Sequence, residues 1–493
     1  MLSQLITCDI VCLGVGSPGL FSAFVEWLGG RHGSQVVAYQ HRGHGEPWGT
    51  YEEKCELADG QSLCGRTDIR SWKRVWSRLT VRKSCGVCAY HSLDRTGSLT
   101  IGDYWGIDEK LPGLSDSLGA SCILVNDETG RDTLKRLRGR IELVSSSVGA
   151  VANARQPMLT HPRPQTGERD IFLADAVRFG YCHACRRVGA LGATRVVKDA
   201  IGILRQRLKH NTAGIAHCQW PESDAWDALE EGKLPLAFAA RNLDDEIRWA
   251  SSSGGMYHAL ASYVIAAGGV VYGCAFDDSI RARHVRCETM KDCERCMGSK
   301  YSQSDMGNTI AHVREDLLDG RTVLFTGTPC QVDAVRNACD GAARNSDDRI
   351  SSHVVTEDAI PQAHRLRAAP GKRLGVLGHR MSDVRLPQPN NSEYRYRDGR
   401  PLGTFGEQGS HASTRYRNWH KTDESMRGKL PELYAERVEC CGCTGCLAAC
   451  PKGAIRMEPD EEGFDYPVVD ASLCVGCSRC IRACAFGRRQ CDA

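Results

Sequence analysis

The chain has 493 residues, including 63 Lys or Arg and 60 Asp or Glu, so its formal net charge is only +3. At about 150 residues per domain, this length predicts two to four domains. The near balance of charge argues against binding to nucleic acid or to an anionic membrane through overall electrostatics. Cysteine is unusually frequent, with 26 residues, which favours metal or redox chemistry over disulfides where no secretory signal is present.

The first apolar run, residues 5–11, predicts a buried strand. It has no basic region before it and contains Asp9, which distinguishes it from a signal peptide, so we expect a cytoplasmic protein. The longest uncharged run, residues 259–276, has the length of a membrane span. A Gly-Gly pair at 268–269 divides it, however, and we predict a helix over residues 256–267 followed by a strand, without membrane insertion.

The stretch CLGVGSPGLF, residues 12–21, contains three glycines with the spacing G-x-G-x-x-G. Ser17 and Pro18 predict the cap and the first residue of a helix that ends near Leu28. A dinucleotide-binding turn also requires an acidic residue about 20 positions later, at the end of the next strand. That strand ends on Gln-His-Arg at 40–42, so the dinucleotide interpretation fails.

A second strand, turn and helix is predicted around residues 322–330. The apolar run 322–325 leads through Gly327 and Thr328 into a helix that begins near Pro329. Cys330 then lies at the helix N-terminus, where the backbone N–H groups favour a thiolate. A buried structural cysteine is an equally good interpretation of that residue taken alone.

The densest cysteine pattern lies near the C-terminus, in the runs CCGCTGCLAACP and CVGCSRCIRAC. Each run has the spacing C-x2-C-x2-C-x3-C, and the second run begins 34 residues after the first, at 474 against 440. In this pattern the first three cysteines of each run bind one 4Fe-4S cluster, and the fourth cysteine of the run binds the other cluster. The pattern predicts two 4Fe-4S clusters, one bound by Cys440, Cys443, Cys446 and Cys484 and the other by Cys474, Cys477, Cys480 and Cys450. Two structural zinc sites are the alternative, but they leave the third cysteine of each triplet unexplained.

Residues 437–486 resemble the bacterial-type two-cluster ferredoxin domain, and we assign 431–493 to it. Ala485 stands where a proline often follows the last cysteine, which we interpret as a tolerated change that affects the solvation of the first cluster. Cys441 and Cys491 fall outside the spacing and are interpreted as spare thiols. Cys85 and Cys88 form a separate C-x2-C pair before a predicted strand at 99–101 and, taken alone, fit half a zinc site at most.

Longer motifs resemble the beta-subunit family of coenzyme F420 hydrogenase/dehydrogenase. Residues 234–341 are similar to its N-terminal half through SSSGGMYHALASYV, MGSKYSQSDMG and VLFTGTPCQ. Residues 1–208 are similar to its C-terminal half through CDIVCLGVGSPGLF, SCGVCAY, LTIGDYWGI and MLTHPRPQTGERDIFLADAVRFG. The resemblance implies an α/β (α+β) catalytic region in two pieces plus a small ferredoxin-like domain.

The resemblance also implies cofactors, because that family binds FAD and iron–sulfur clusters and exchanges hydride with an acceptor such as the 5-deazaflavin F420. The implied flavin contacts are a Ser-Gly turn and three residues elsewhere: Ser252, Ser253, Gly254, Gly255, Lys300, Gly327 and Thr328. Simple helix capping is the alternative for the serines. A third 4Fe-4S cluster is implied at Cys12, Cys85, Cys88 and Cys330. Two other C-x2-C pairs match no family motif and are interpreted as incidental: Cys182 with Cys185, and Cys293 with Cys296.

The motif around Cys12 usually has the form C-H-G-V-P-S-P in the family, and here Leu13 replaces the histidine and Gly16 replaces the first proline. The order of the pieces is also reversed, since the ferredoxin module comes first in the family and last here. Between them, residues 209–233 form a seam without a clear signal. Residues 342–430 are polar and rich in Arg, Ser, Gly and Pro, which predicts a long, disordered linker, with an RNA-binding tail as the alternative.

Together with these patterns, the resemblance implies a cytoplasmic oxidoreductase that contains flavin and iron–sulfur clusters. No general acid or nucleophile is evident, and flavin redox chemistry does not require one. The expected partners are a redox protein or subunit and a soluble hydride carrier, with neither nucleic acid nor a membrane. The alternatives are a ferredoxin-type electron carrier with a non-functional passenger region, and a binding protein that uses the basic linker. If the third cluster forms, the two catalytic pieces have reunited in space.

Overall fold

The structure is a computed structural model that describes residues 2–42, 48–49, 52–210, 218–221, 223–343, 396–397, 400–401, 430–484 and 486. The chain divides into two compact units, of which the first comprises Met1–Asp347 and Trp419–Ala493 and the second Asp348–Asn418. Only a pair of two-residue antiparallel strands is described in the second unit. The predicted linker, 342–430, thus lies almost entirely outside the described residues, as do Ala485 and Cys491.

The strands are numbered along the chain. They are β1 (Leu5–Ile10), β2 (Val36–Gln40), β3 (Lys54–Leu57), β4 (Ser62–Cys64), β5 (Leu99–Asp103), β6 (Ser121–Val125), β7 (Ile141–Ser146), β8 (Leu236–Asn242), β9 (Val270–Phe276), β10 (Ala282–Cys287), β11 (Val323–Gly327), β12 (Tyr396–Arg397), β13 (Arg400–Pro401), β14 (Ile455–Pro459) and β15 (Asp465–Val469). Eight of them form one mixed sheet in the order β10-β9-β11-β1-β5-β6-β8-β7, while β2, β3 and β4 form a small antiparallel sheet and β14 and β15 a hairpin.

The helices pack around these sheets. They are α1 (Pro18–His32), α2 (Arg70–Leu79), α3 (Ile107–Lys110), α4 (Glu128–Lys135), α5 (Val148–Val151), α6 (Glu168–Phe179), α7 (Tyr181–Arg187), α8 (Ala193–His210), α9 (Ala225–Glu231), α10 (Asp245–Trp249), α11 (Met256–Ala266), α12 (Met290–Glu294), α13 (Thr309–Leu318), α14 (Pro329–Ala343), α15 (Gly445–Ala448) and α16 (Arg479–Ala483). None of the described helices is both long and apolar enough to cross a membrane.

The centre of the large sheet consists of four parallel strands. β1 lies between β11 and β5 and runs parallel to both, with Leu5 opposite Val323 and Asp9 opposite Gly327. β9 continues the parallel pairing on the far side of β11, whereas the outer strands pair antiparallel. β1 and β11 are buried along nearly their whole length, as expected of parallel strands covered on both faces.

Strands from residues 1–208 and 234–341 are interleaved in this sheet. β11 pairs with β1, and β8 inserts between β6 and β7. The two regions therefore share one sheet and one core. The described part of the 209–233 seam belongs to the same body, because Trp220 is buried under the Arg241 guanidinium, 4.6 Å from its ring centroid, and α9 packs on β7.

Local sequence signals predicted several of these elements. Ser17 caps α1 by accepting a hydrogen bond from the Leu20 N–H at 3.0 Å, and Pro18 is its first residue. The helix continues beyond the predicted end at Leu28 to His32, because the glycines that follow Leu28 are accommodated inside it. The uncharged run divides into α11 and β9, as predicted.

Asp9, the charged residue of the first apolar run, is fully buried, and its carboxylate accepts hydrogen bonds from three donors of one loop. Its carboxylate accepts from Arg95 Nη2 at 2.6 Å, from the Gly97 N–H at 2.8 Å and from Thr96 Oγ1 at 3.2 Å. The Arg95 side chain is itself buried and donates onward to the Ile10 carbonyl. This ion pair ties the loop before β5 to the carboxyl end of β1.

Replacing Asp9 by Ala leaves a buried guanidinium without its partner, and we expect this to lower the free energy of unfolding by about 3–5 kcal/mol. Asp108→Ala is the matched control, because the Asp108–Arg155 pair is about half exposed on both sides and is expected to contribute at most about 1 kcal/mol. Guanidinium unfolding followed by circular dichroism measures both. Equal losses in the two variants would contradict a structural role for the buried pair.

Candidate iron–sulfur centres

The two C-terminal cysteine runs share one local backbone. In each run a glycine and then a hydroxyl residue adopt positive φ, with Gly442 at 68° and Thr444 at 60° in the first and Gly476 at 64° and Ser478 at 56° in the second. The glycine N–H donates to the first cysteine, with 3.4 Å from Gly442 N to the Cys440 Sγ and 3.5 Å at the equivalent contact of the second run. Such N–H···S bonds stabilise a thiolate and adjust the potential of a bound cluster.

The first predicted ligand set converges within the C-terminal module. Burial raises the pKa of the Cys446 thiol, and the neighbouring thiolates of Cys443, Cys440 and Cys484 raise it further. Cys484 comes from the second run and lies at the end of α16. The crossing of the fourth cysteine to the other run is therefore present in the geometry.

The second predicted ligand set lines one pocket of the module. Its four thiols belong to Cys450, Cys474, Cys477 and Cys480. Cys450 is the crossing cysteine of the first run, and its Sγ accepts from the Ala454 N–H at 3.2 Å. Four thiols and N–H···S hydrogen bonds fit a 4Fe-4S cluster at each set. Within the described residues, no three His, Cys, Asp or Glu side chains are arranged to hold a single metal ion.

The third predicted set comes together at the carboxyl edge of the large sheet. Cys12 follows β1, and Cys330 lies in the first turn of α14, directly after β11. Because β1 and β11 are adjacent and parallel, their carboxyl ends lie side by side. Cys85 and Cys88 approach from the turn before β5, and all four thiols line one pocket.

Hydrogen bonds and burial define the electrostatics of this pocket. Cys12 Sγ accepts from the Gly14 N–H at 3.3 Å, and Cys330 Sγ lies 3.2 Å from Thr328 Oγ1. Burial raises the pKa of Cys12 and Cys88, and it raises that of Cys85 to about 11. The pKa of Cys330 is lowered, because its thiolate accepts a hydrogen bond from Cys441 and lies at the start of a helix. Metal binding to such thiols requires their deprotonation.

Cys441 is a fifth cysteine that lines this pocket, and the sequence did not indicate it. Its spacing suggested a spare thiol, but the side chain is buried and forms hydrogen bonds with Cys330 and with Cys443. Phe486 of the same module also lines the pocket. A residue of the C-terminal module thus lies between the third set and the first set, a contact that sequence spacing does not encode.

The three glycines of residues 12–21 are explained by packing. A Cβ at Gly14 would lie 2.7 Å from Val81, a Cβ at Gly16 would lie 2.6 Å from the Tyr301 carbonyl, and a Cβ at Gly19 would lie 2.7 Å from the Glu462 carbonyl. Each glycine therefore allows close approach of a different part of the chain. The resemblance to a dinucleotide-binding pattern is incidental, in agreement with the missing acidic residue.

The predicted flavin turn lies at the carboxyl end of β8. Gly254 packs on the sheet, since a Cβ there would lie 2.4 Å from the Ala240 carbonyl, and Ser253 Oγ lies 3.0 Å from Ser121 Oγ. The Ser252 carbonyl accepts from Arg42 Nη1 at 3.2 Å. Helix capping by the serines is wrong, because the N-cap of α11 is Gly255 and no side chain caps this helix.

The other predicted flavin contacts lie elsewhere. Gly327 ends β11, and Thr328 lines the third thiol pocket. The carboxyl end of β11 is at the same edge of the sheet as the carboxyl end of β8. The two strand ends are four strands apart, which is about 19 Å at the usual strand spacing. The Lys300 ammonium donates to three carbonyls of its own loop, at 2.7–3.2 Å.

The pairs interpreted as incidental lie in helices or next to them. Cys182 and Cys185 are in α7. Cys293 lies in α12, and Cys296 follows it and has its Sγ 3.9 Å from that of Cys287 at the end of β10. Cys287 is a third buried thiol that the C-x2-C spacing did not indicate.

A family model described as a 4Fe-4S dicluster domain matches residues 439–488. No curated protein and no solved structure matches the chain. The matched range contains all eight cysteines of the two C-terminal runs, and the match confirms the prediction of 4Fe-4S clusters in this region. The C-terminal module is therefore a 4Fe-4S dicluster domain, and the chain is an iron–sulfur protein that functions in electron transfer.

Proposed function

We propose that the protein is an iron–sulfur flavoprotein oxidoreductase related to the beta subunits of coenzyme F420 hydrogenases and dehydrogenases. FAD, when bound, exchanges a hydride with a soluble carrier such as a 5-deazaflavin and exchanges single electrons with 4Fe-4S clusters. The protein then passes these electrons to or from a redox partner protein or subunit. Cys12, Cys85, Cys88 and Cys330 hold a third cluster in addition to the two of the dicluster domain.

The observation that carries this proposal is the convergence of four thiols from three separate segments in one pocket. Cys12 follows β1, Cys85 and Cys88 lie before β5, and Cys330 begins α14. Four thiols are the number that one 4Fe-4S cluster requires. The resemblance named the same four residues from the sequence, without using their positions in space.

The same pocket adjoins the dicluster domain. Cys441 contacts Cys330 on one side and Cys443 on the other, and the first set is close to the second because Cys446 lies near Cys480. Ligands of successive sites are thus neighbours along one line. This arrangement supports electron transfer from the sheet edge through the third cluster into the dicluster domain.

The support for flavin comes from the same edge of the sheet. The first turn of α11 has no capping side chain, so its backbone N–H groups can bind a phosphate. Arg42 pairs with Asp103 at the end of β5, at 2.5 Å, and donates to the Ser252 carbonyl. Polar groups of Arg42, Asp103 and Ser252 therefore lie between the α11 turn and the third thiol pocket. The resemblance implies that the flavin binds in this region.

A ferredoxin-type electron carrier with a non-functional passenger region is the second candidate. It is favoured by the family match, which covers only residues 439–488. Against it, Cys441, Cys443 and Phe486 of the dicluster domain belong to one apolar cluster with Leu5 and Val323 of the large sheet. The domain is therefore packed into the core of the remaining chain, and cofactor content separates the two candidates.

Protein purified without oxygen is expected to release about one FAD per chain on denaturation, measured by chromatography of the supernatant. The dicluster content of the same sample, measured by iron analysis, is the internal control. A preparation that retains its dicluster iron but contains no flavin would contradict the oxidoreductase and favour the electron carrier.

A double substitution, Cys85→Ala with Cys88→Ala, removes two ligands of the third set, and we expect it to abolish one of about three reduced-cluster signals per chain. Spin integration of the electron paramagnetic resonance spectrum after dithionite reduction measures this. Cys293→Ala with Cys296→Ala is the matched control, since it removes a C-x2-C pair from the same body, and no signal should be lost. An intact signal in the first variant would argue that no third cluster is present.

A further inference from the structure

Arg82 is a fully buried arginine at the junction between the large-sheet body and the dicluster domain. Its guanidinium donates to the Cys440 carbonyl at 3.0 Å, the Asp465 carbonyl at 2.9 Å and Gln303 Oε1 at 2.8 Å. It also lies 4.2 Å from the centroid of the Tyr466 ring. Every one of these partners is formally neutral.

The other buried arginines of the described chain have carboxylate partners. Arg131 pairs with Glu128, Arg169 with Glu462 and Arg248 with Asp116. Arg82 forms no ion pair with any carboxylate that the structure describes. A buried cation without a counter-charge is strongly unfavourable, so the surroundings of Arg82 call for an anion that is not an Asp or Glu side chain.

The sulfur of the first ligand set is the group that meets this need. Arg82 Nη2 lies 3.9 Å from Cys440 Sγ. A 4Fe-4S cube bound by four thiolates carries a net negative charge, and one-electron reduction makes that charge more negative by one. Net charge and hydrogen bonding to sulfur are the means by which a protein sets the potential of such a cluster.

The backbone around Arg82 fixes this contact from both sides. The Arg82 N–H donates to the Val15 carbonyl, and its own carbonyl accepts from the Cys85 N–H, each at 3.0 Å. On the opposite side, Gly442 leaves the space for the guanidinium, because a Cβ there would lie 2.7 Å from Arg82 Nη1. The backbone of Arg82 thus belongs to the loop of the third thiol pocket, and its guanidinium lies next to the first ligand set.

We propose that Arg82 is the buried counter-charge of the cluster held by Cys440, Cys443, Cys446 and Cys484, and that it raises the reduction potential of this cluster. The positive charge favours the more negative, reduced form, so an electron that enters the dicluster domain from the large-sheet side is held at the junction. The inference rests on the dicluster part of the proposed function and is independent of flavin and of the third cluster.

The test is a redox titration of the full chain, followed by electron paramagnetic resonance, with Arg82→Gln compared with the unsubstituted protein. The reduction equilibrium of one dicluster site is expected to shift about tenfold toward the oxidised form, which is 59 mV for one electron. Arg437→Gln is the matched control. The Arg437 guanidinium also lies over the Tyr466 ring, at 5.6 Å, but it is partly exposed and already paired with Glu461, so no shift is expected.

An Arg82→Gln variant with full iron content and unchanged potentials would overturn the proposal. If that variant loses iron, Arg82→Lys and Gln303→Glu decide. Under the proposal the Lys variant restores both iron and potential, and the Glu variant lowers the potential because its carboxylate neutralises the guanidinium. Unchanged potentials in the Glu variant, or an Arg82→Lys variant as depleted as Arg82→Gln, would indicate a purely structural residue. Absence of iron from the unsubstituted chain would instead refute the dicluster assignment itself.

Discussion

The parallel pairing of β1 with β11 is the contact on which the candidate third centre depends. It places the carboxyl ends of two strands side by side, although Cys8 and its partner Thr326 are far apart in the chain. Cys12 and Cys330 follow those strand ends directly, so one register brings both thiols to the same pocket. The buried pair of Asp9 and Arg95 holds the loop before β5 against the end of β1, and that loop follows the segment with Cys85 and Cys88.

Features that depend on neighbouring residues were predictable from the sequence. The cap of α1 at Ser17, the division of the uncharged run and the repeated turns of the two C-terminal runs all follow from local spacing. Features that join distant segments were not. Arg82 and Cys440 are 358 positions apart, and neither lies in a pattern that signals the other. The contacts of Cys441 with Cys330 and of Cys287 with Cys296 went unpredicted because thiol spacing along the chain does not report which side chains meet in the core.

Residues 1–208 and 234–341 form one core although they are separate regions of the chain. β8 lies between β6 and β7, and β11 lies beside β1, so strands from the two regions are interleaved in a single sheet. Chain connectivity limits such an arrangement only weakly, because the entropy cost of closing a loop rises slowly with its length. The C-terminal module contacts this body at several points, including Glu462, whose carbonyl accepts from the Gly19 N–H and whose carboxylate pairs with Arg169.

The thiols at the sheet edge, in the third pocket and in the dicluster domain therefore lie along one continuous path, with Arg82 and Cys441 at the junction. The proposed third cluster can be tested most directly by counting iron and acid-labile sulfide per chain in protein prepared without oxygen. About twelve of each is the result expected if all three thiol sets bind a 4Fe-4S cluster. About eight of each would mean that only the dicluster domain is loaded and would contradict a third centre at Cys12, Cys85, Cys88 and Cys330.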